Sequence, residues 1–379
     1  MSKLTREDLD LLRDTAARFF DEKLPIGALR KLRDEQNKTG FDRNLWREMA
    51  NMGWAGILID EDNGGIDFGY VALGIILEQS GRTLAASPLI STVLTCAPIV
   101  TAGGTDEQRQ NILGGVASGD LVLALAHEEF PRHAPYRIAT RAVENGKGYL
   151  IDGGKTFVLD GHVADYLILT ARTAGEDDDR DGVTLFLVDA RLRGINIKRT
   201  TMVDSRNAAN IEFEQAQIPA DSVIGSPGNG AEILDRVLDG ARAGTAAEML
   251  GIGQEAFDIT TEYLKVREQF GAPIGSFQAL KHRAADMYCE IELARSAVYA
   301  ALTALDNDAP DTPELVCVAK AKACDMLELV SSEAIQMHGG IGMTDEADVG
   351  LFLKRARVTQ QMFGDVIFHR ERFADLIGL

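Results

Sequence analysis

Two stretches of this chain combine residues that hold anions with residues that let backbone come close. The first is Arg267-Glu268-Gln269-Phe270-Gly271-Ala272-Pro273-Ile274, followed by Phe277-Gln278. A guanidinium at the end of a long helix can donate charge-assisted bonds to an anionic oxygen, and the neighbouring glycine lets the backbone turn beside it. The alternative is that this arginine only complements the negative end of its helix. The second stretch is Gln336-Met337-His338-Gly339-Gly340-Ile341-Gly342, where bare backbone can approach a bound group, although helices also end in glycine for conformational reasons. A third, Leu238-Asp239-Gly240-Ala241-Arg242, puts Asp239 and Arg242 three apart on one helical face. They can bind a ligand or pair with each other.

Other candidates read as structural. His127-Glu128-Glu129 fits a polar strand end better than a catalytic dyad, and the acidic run Glu176-Asp177-Asp178-Asp179 fits a solvated loop. Cys96, Cys289, Cys317 and Cys324 have no CxxC spacing and read as buried free thiols, while the six histidines form no paired-ligand pattern. No metal site is expected. A formal charge of −19 opposes nucleic acid and anionic membrane, so an anionic ligand would have to be held by individually placed arginines and amides. No apolar run reaches the length of a membrane span, and the start Met1-Ser2-Lys3-Leu4-Thr5-Arg6-Glu7-Asp8 has no apolar signal core. The expected location is the cytoplasm.

Positioning these residues takes more than one core, because 379 residues exceed the size at which a single core keeps growing. Residues 1–120 read as helical. Thr5 with Asp8 makes a capping-box start before the stripe Leu9, Leu12, Ala16, Phe19; Leu45, Met49 and Met52 make a second stripe, and a longer apolar helix runs from about Tyr70 to Gln79. Residues 121–225 read as a small β domain, barrel-like or sandwich-like. Its strands are expected at Leu121 to Ala126, Ile138 to Val143, Tyr149 to Asp152, Thr156 to Leu159, Tyr166 to Ala171 and Val183 to Val188, with turns at Asn145-Gly146, Asp152-Gly153, Asp160-Gly161 and Asp181-Gly182. Residues 226–379 read as a four-helix bundle with helices at about Ala231 to Val266, Ser276 to Asp306, Pro313 to His338 and Asp345 to Leu376. The class is α+β, multi-domain.

This order, helical then β then four-helical, with the Arg267 to Gln278 segment and the Gln336 to Gly340 turn at their spacing, resembles the acyl-CoA dehydrogenases over essentially the whole chain. The resemblance implies FAD as cofactor, with Arg267, Phe270, Gln278, Gln336, Met337, His338, Gly339 and Gly340 in contact with it. It also implies an acyl-CoA substrate near Asp239, Arg242 and Gly364, an electron-transfer flavoprotein that reoxidises the FAD, and a tetramer. The implied reaction removes an α-proton to a carboxylate while the β-hydrogen leaves as hydride to the flavin. Here the two base positions known in the family are Phe363 and Ala241, and neither side chain can accept a proton. Asp365 as a substitute base would point away if the segment were continuous helix.

The family's T-E-P-x-A-G-S-D segment corresponds at best to His127-Glu128-Glu129-Phe130-Pro131, and its Trp-Ile-Ser/Thr to Phe157-Val158-Leu159. Phe157 can cover a ring face or fill a β core. Three readings therefore stand. The chain is a subunit of a heteromeric acyl-CoA dehydrogenase whose related partner supplies the base, a catalytic homotetramer with a relocated carboxylate, or a relative that does not dehydrogenate.

Overall fold

The computed structural model describes residues 4–379. Its first helices are α1 (Arg6–Lys23), α2 (Ile26–Asp34), α3 (Arg43–Asn51), α4 (Gly69–Arg82), α5 (Ala97–Gly103) and α6 (Asp106–Ala117). Strands β1 (Leu123–Ala126), β2 (Arg141–Glu144), β3 (Tyr149–Leu159), β4 (Tyr166–Arg172), β5 (Val183–Asp189), β6 (Ile195–Thr201), β7 (Asn207–Ile218) and β8 (Val223–Ile224) follow. The remainder is α7 (Gly230–Val266), the hairpin β9 (Glu268–Gln269) and β10 (Ala272–Pro273), then α8 (Gln278–Asp306), α9 (Thr312–His338), α10 (Val349–Gln361) and α11 (Val366–Leu376). No helix among the described residues is long and apolar enough to cross a membrane.

Contacts gather these elements into two compact units. One contains residues up to Lys31, Tyr70–Ala85 and Arg242–Leu379; the other contains Leu32–Gly69 and Ala86–Ala241. The first unit is helical. Its α1 starts on the expected capping box, with the Thr5 hydroxyl accepting from the Asp8 amide at 3.2 Å and the Asp8 carboxylate accepting from the Thr5 amide at 2.9 Å. α4 and α7 touch backbone to backbone through glycines: a Cβ on Gly251 would overlap the Glu78 carbonyl oxygen, and one on Gly81 the Glu248 carbonyl oxygen. Gly251→Ala is therefore expected to destabilise by about 1–3 kcal/mol, because neither helix can retreat from a packed core, and a shifted denaturant midpoint would record it.

The second unit is built on one mixed sheet in the order β6-β7-β3-β2-β4-β5-β8, with β1 parallel to β4. The sheet does not close: among the described residues its end strands β6 and β8 do not pair, so no barrel forms. Its two halves meet through the single pair Arg141 and Arg172, and their facing side chains, among them Ile151, Leu167, Phe186, Ile211 and Phe213, share one core in the manner of a sandwich.

Several expectations for this unit need correction. The two strands predicted on either side of Asp152-Gly153 are one strand, β3; Gly153 supplies a bulge at φ +145° instead of a turn, and the Asp152 carboxylate accepts from the Gln215 amide at 2.9 Å. Strands β6 and β7 were not anticipated, although β7 alternates buried Ile211 and Phe213 with exposed Glu212 and Glu214. The acidic loop is also more than a solvated run. Its backbone turns inward so that the carbonyls of Asp177, Asp179 and Asp181 accept from the buried Arg172 guanidinium at 2.8–2.9 Å. Of the four cysteines, all free, Cys289 is exposed; the other three are buried as expected.

The largest departure concerns the last predicted helix. Residues Met362-Phe363-Gly364-Asp365 separate α10 from α11, with Phe363 at φ +56° and Gly364 at φ +105°. Asp365 is the N-cap of α11, its carboxylate accepting from the Phe368 amide at 2.9 Å. The orientation argument for Asp365, which assumed continuous helix, does not apply; the carboxylate has a capping role instead.

Candidate cofactor and substrate site

At one end of the helical unit, α7 stops at Val266 and the β9–β10 hairpin carries Arg267 to Gln278 outward. Phe270 is 96% exposed at φ +55°, a backbone conformation that costs a bulky residue about 1–3 kcal/mol. Phe277 packs edge-on to it at 6.3 Å. Arg267 and Gln278 are exposed, and among the described residues the Arg267 guanidinium has no carboxylate partner. In a chain with 58 acidic and 39 basic residues, a cation left open beside bare backbone is a notable arrangement.

The second glycine turn sits at the same end. The His338 ring stacks on Tyr263 at 4.3 Å and its Nδ1 donates to the Ala334 carbonyl at 2.7 Å, which ties the end of α9 to the end of α7. Gly339 and Gly340 are exposed, and a Cβ added at Gly271, Gly339 or Gly340 would meet nothing within 4 Å. Gln336 is exposed too, whereas the side chains of Met337 and His338 are buried in the bundle, so these two offer backbone and not side chain to a ligand. Arg267, Phe270 and Gln278 beyond α7 and Gln336, Gly339 and Gly340 at the end of α9 are thus all exposed, and the stack of Tyr263 on His338 joins the two helix ends.

The residues expected at the substrate are buried instead. Ala241 is fully buried and Asp239 is 5% exposed on α7. Arg242 is buried as well; its Nε donates to the Phe363 carbonyl at 3.2 Å and its guanidinium lies 5.2 Å over the Phe368 ring. Gly364 is needed sterically, since a Cβ there would overlap the Phe368 ring and come within 3.0 Å of His369 Nε2. From α9, the fully buried Lys320 donates to the Gly364 carbonyl at 3.0 Å and the Gln360 carbonyl at 3.3 Å. Sequence reading missed Lys320; an apolar helical face with one lysine in it was the available signal.

In the β unit, His127-Glu128-Glu129 is the polar end expected of a strand, directly after β1, and it is tied down by side chains from other elements. Lys155, from β3, is buried and donates to Glu129 Oε1 at 2.5 Å, Thr170 Oγ1 at 3.0 Å and the His127 carbonyl at 3.2 Å. Burial lowers Lys155 to about 8 despite the pull of Glu129 in the other direction. Burial alone would raise Glu129; the Lys155 charge and hydrogen bonds from Lys155, Thr140 and Ala139 outweigh it and hold the carboxyl below its ordinary range. Glu128 is likewise held low against its burial by the bond from His133, and burial pushes His127 down to about 4. Phe157 stands at a bulge of β3, 55% exposed and at φ +52°, which excludes the core role considered for it.

Three family models match in order along the chain: the acyl-CoA dehydrogenase N-terminal domain over residues 6–120, the middle domain over 132–216 and the C-terminal domain over 228–377. The probable acyl-CoA dehydrogenase YngJ of Bacillus subtilis is 32% identical over 86% of this chain and 87% of its own length. Among solved structures, the Tcur3481-Tcur3483 steroid ACAD superposes with a TM-score of 0.87 at 33% identity, covering 98% of each chain. A chain of the ChsE4-ChsE5 complex from Mycobacterium tuberculosis superposes with a TM-score of 0.88 at 26% identity, covering 100% of each chain. The chain belongs to the acyl-CoA dehydrogenase family, a family of FAD-dependent oxidoreductases with an N-terminal helical, a middle β and a C-terminal helical domain.

Proposed function

We propose that this chain is the base-less subunit of a heteromeric acyl-CoA dehydrogenase, holding FAD with a related subunit that supplies the carboxylate. The carrying observation is that both base positions are apolar, Phe363 and Ala241, while four carboxylates weighed as substitutes are each engaged elsewhere. Asp365 caps α11, Glu128 is bound to His133, Glu129 to Lys155, and Glu248 to Arg355. A relocated base is thereby disfavoured.

The residues present fit the cofactor. Arg267 is an open cation for a diphosphate oxygen, Gly271, Gly339 and Gly340 leave room for phosphate to reach backbone amides, and Phe270 offers an apolar face. When bound, FAD supplies the hydride acceptor of the reaction. The substrate's thioester carbonyl needs a donor to stabilise charge as the α-proton departs, and the Phe363 amide, which donates to no carbonyl among the described residues, is such a donor whatever its side chain. Acyl-CoA as substrate, the tetramer and reoxidation by an electron-transfer flavoprotein belong to this reading. Likeness to two structures named for paired gene products supports the heteromeric form.

The test is spectroscopic. Purified alone, the chain should carry little flavin; co-expressed with a related dehydrogenase subunit, it should co-purify with FAD whose visible absorbance bleaches on adding an acyl-CoA. Flavin bound and bleached by the chain alone would establish the homotetramer instead, and no flavin under either condition would sink both.

A further inference from the structure

Lys320 presents a buried ammonium with no carboxylate partner among the described residues; its Nζ reaches the Gly364 carbonyl at 3.0 Å, the Gln360 carbonyl at 3.3 Å and Cys324 Sγ at 3.6 Å. A buried charge is costly unless compensated. Here the compensation is the carbonyl end of α10, where unpaired carbonyls carry the negative pole of the helix. On the other side, Arg242 takes the Phe363 carbonyl at 3.2 Å. The carbonyls of residues 360, 363 and 364 are thus each turned onto a buried cation, which fixes the peptide planes after residue 363 without using its side chain. This restraint also opposes the strain of Phe363 at φ +56°.

We infer that Lys320 is the positioning residue of this site: it holds the α10–α11 break so that residue 363 is presented in one fixed place, and it keeps that place electropositive. The inference rests on reading the break as part of the substrate site. The charged and titratable groups around it are Arg242 from α7, Asp365 in the break, Cys324 on α9 and, against Gly364, His369 of α11. Burial lowers the Lys320 pKa, Cys324 and Asp365 raise it and Arg242 lowers it further. Two further carboxylates stand around these groups, Glu328, which accepts from the Gln360 side-chain amide at 3.2 Å, and Asp325, which acts on Cys324; with Lys320 and Arg242 turned onto the break itself, a carboxylate placed at residue 363 would be stabilised in its charged form.

Lys320→Met keeps the length of the side chain and removes the charge. Amide hydrogen exchange across residues 358–369 of the full chain should quicken at least ten-fold while α8 keeps its rates; unchanged rates in the break overturn the inference. A role in positioning is separated from general stability by a pH profile. In Phe363→Glu, the midpoint for exchange of an acyl-CoA α-proton in D2O should lie at lower pH than in Phe363→Glu/Lys320→Met. The double variant should also lose at least ten-fold in kcat with KM changed less than about three-fold. Equal midpoints and rates overturn it. If Phe363→Glu exchanges no proton, the substrate reading fails and the amide-exchange arm still decides for or against Lys320. If Lys320→Met does not fold, Lys320→Gln, which keeps one donor, should give intermediate amide rates, and wild-type rates in it would count against the charge.

Discussion

Phe363→Glu is expected to raise the rate of α-proton exchange from an acyl-CoA in D2O at least 100-fold over the wild-type chain, each co-expressed with a related dehydrogenase subunit whose own base glutamate is replaced by glutamine. A positioned general base contributes roughly 10²–10⁴-fold. The gain is expected because the backbone that presents residue 363 is restrained through its carbonyls and those of its neighbours, by Arg242 and Lys320, and by the Asp365 cap; none of these bonds uses the phenyl ring. The substitution therefore changes the chemistry at an unchanged place, and the left-handed conformation costs glutamate about what it costs phenylalanine. A folded variant with unaltered melting and no added exchange would show that this pocket does not take an acyl-CoA in the dehydrogenase manner.

Arg355→Met is expected to cost about 3–5 kcal/mol of stability, read from the denaturant midpoint. Glu248 and Arg355 form a bidentate pair at 2.7–2.9 Å with side chains 2% and 3% exposed, so losing the guanidinium strands a buried carboxylate. Glu248→Leu/Arg355→Met should recover most of that loss, since removing both charges together avoids burying one of them without the other. The result bears on function as well. Glu248 lies seven residues, about two helical turns, after Ala241 and so shares its face of α7. A loss below about 1 kcal/mol would mean that the carboxylate is not tied to Arg355, and Glu248 would return as a candidate base.

Where information is local, the chain declared it. The capping box at Thr5 and Asp8, the lengths of α7, α8 and α9, and the arginine and glycine segments at one end of the bundle all follow from residue type and spacing. The missed strands β6 and β7 were partly legible, because the alternation around Ile211 and Phe213 is there to read. The break at residues 362–365 was harder. Its neighbours keep helical spacing, and only Gly364 and Asp365 suggest an end and a new cap.

The sequence by itself determined the family, the arginine and glycine segments at the ends of α7 and α9 and the absence of a carboxylate at residues 241 and 363, because those depend on which residue stands where. Only the tertiary structure decided that the substitute acids are occupied and that Lys320 and Arg242 hold the break. A carboxylate's availability depends on what crosses to meet it. The partners come from 107 residues away for Glu248, 26 for Glu129 and 44 for the Gly364 carbonyl, distances over which no periodicity in the chain carries a signal.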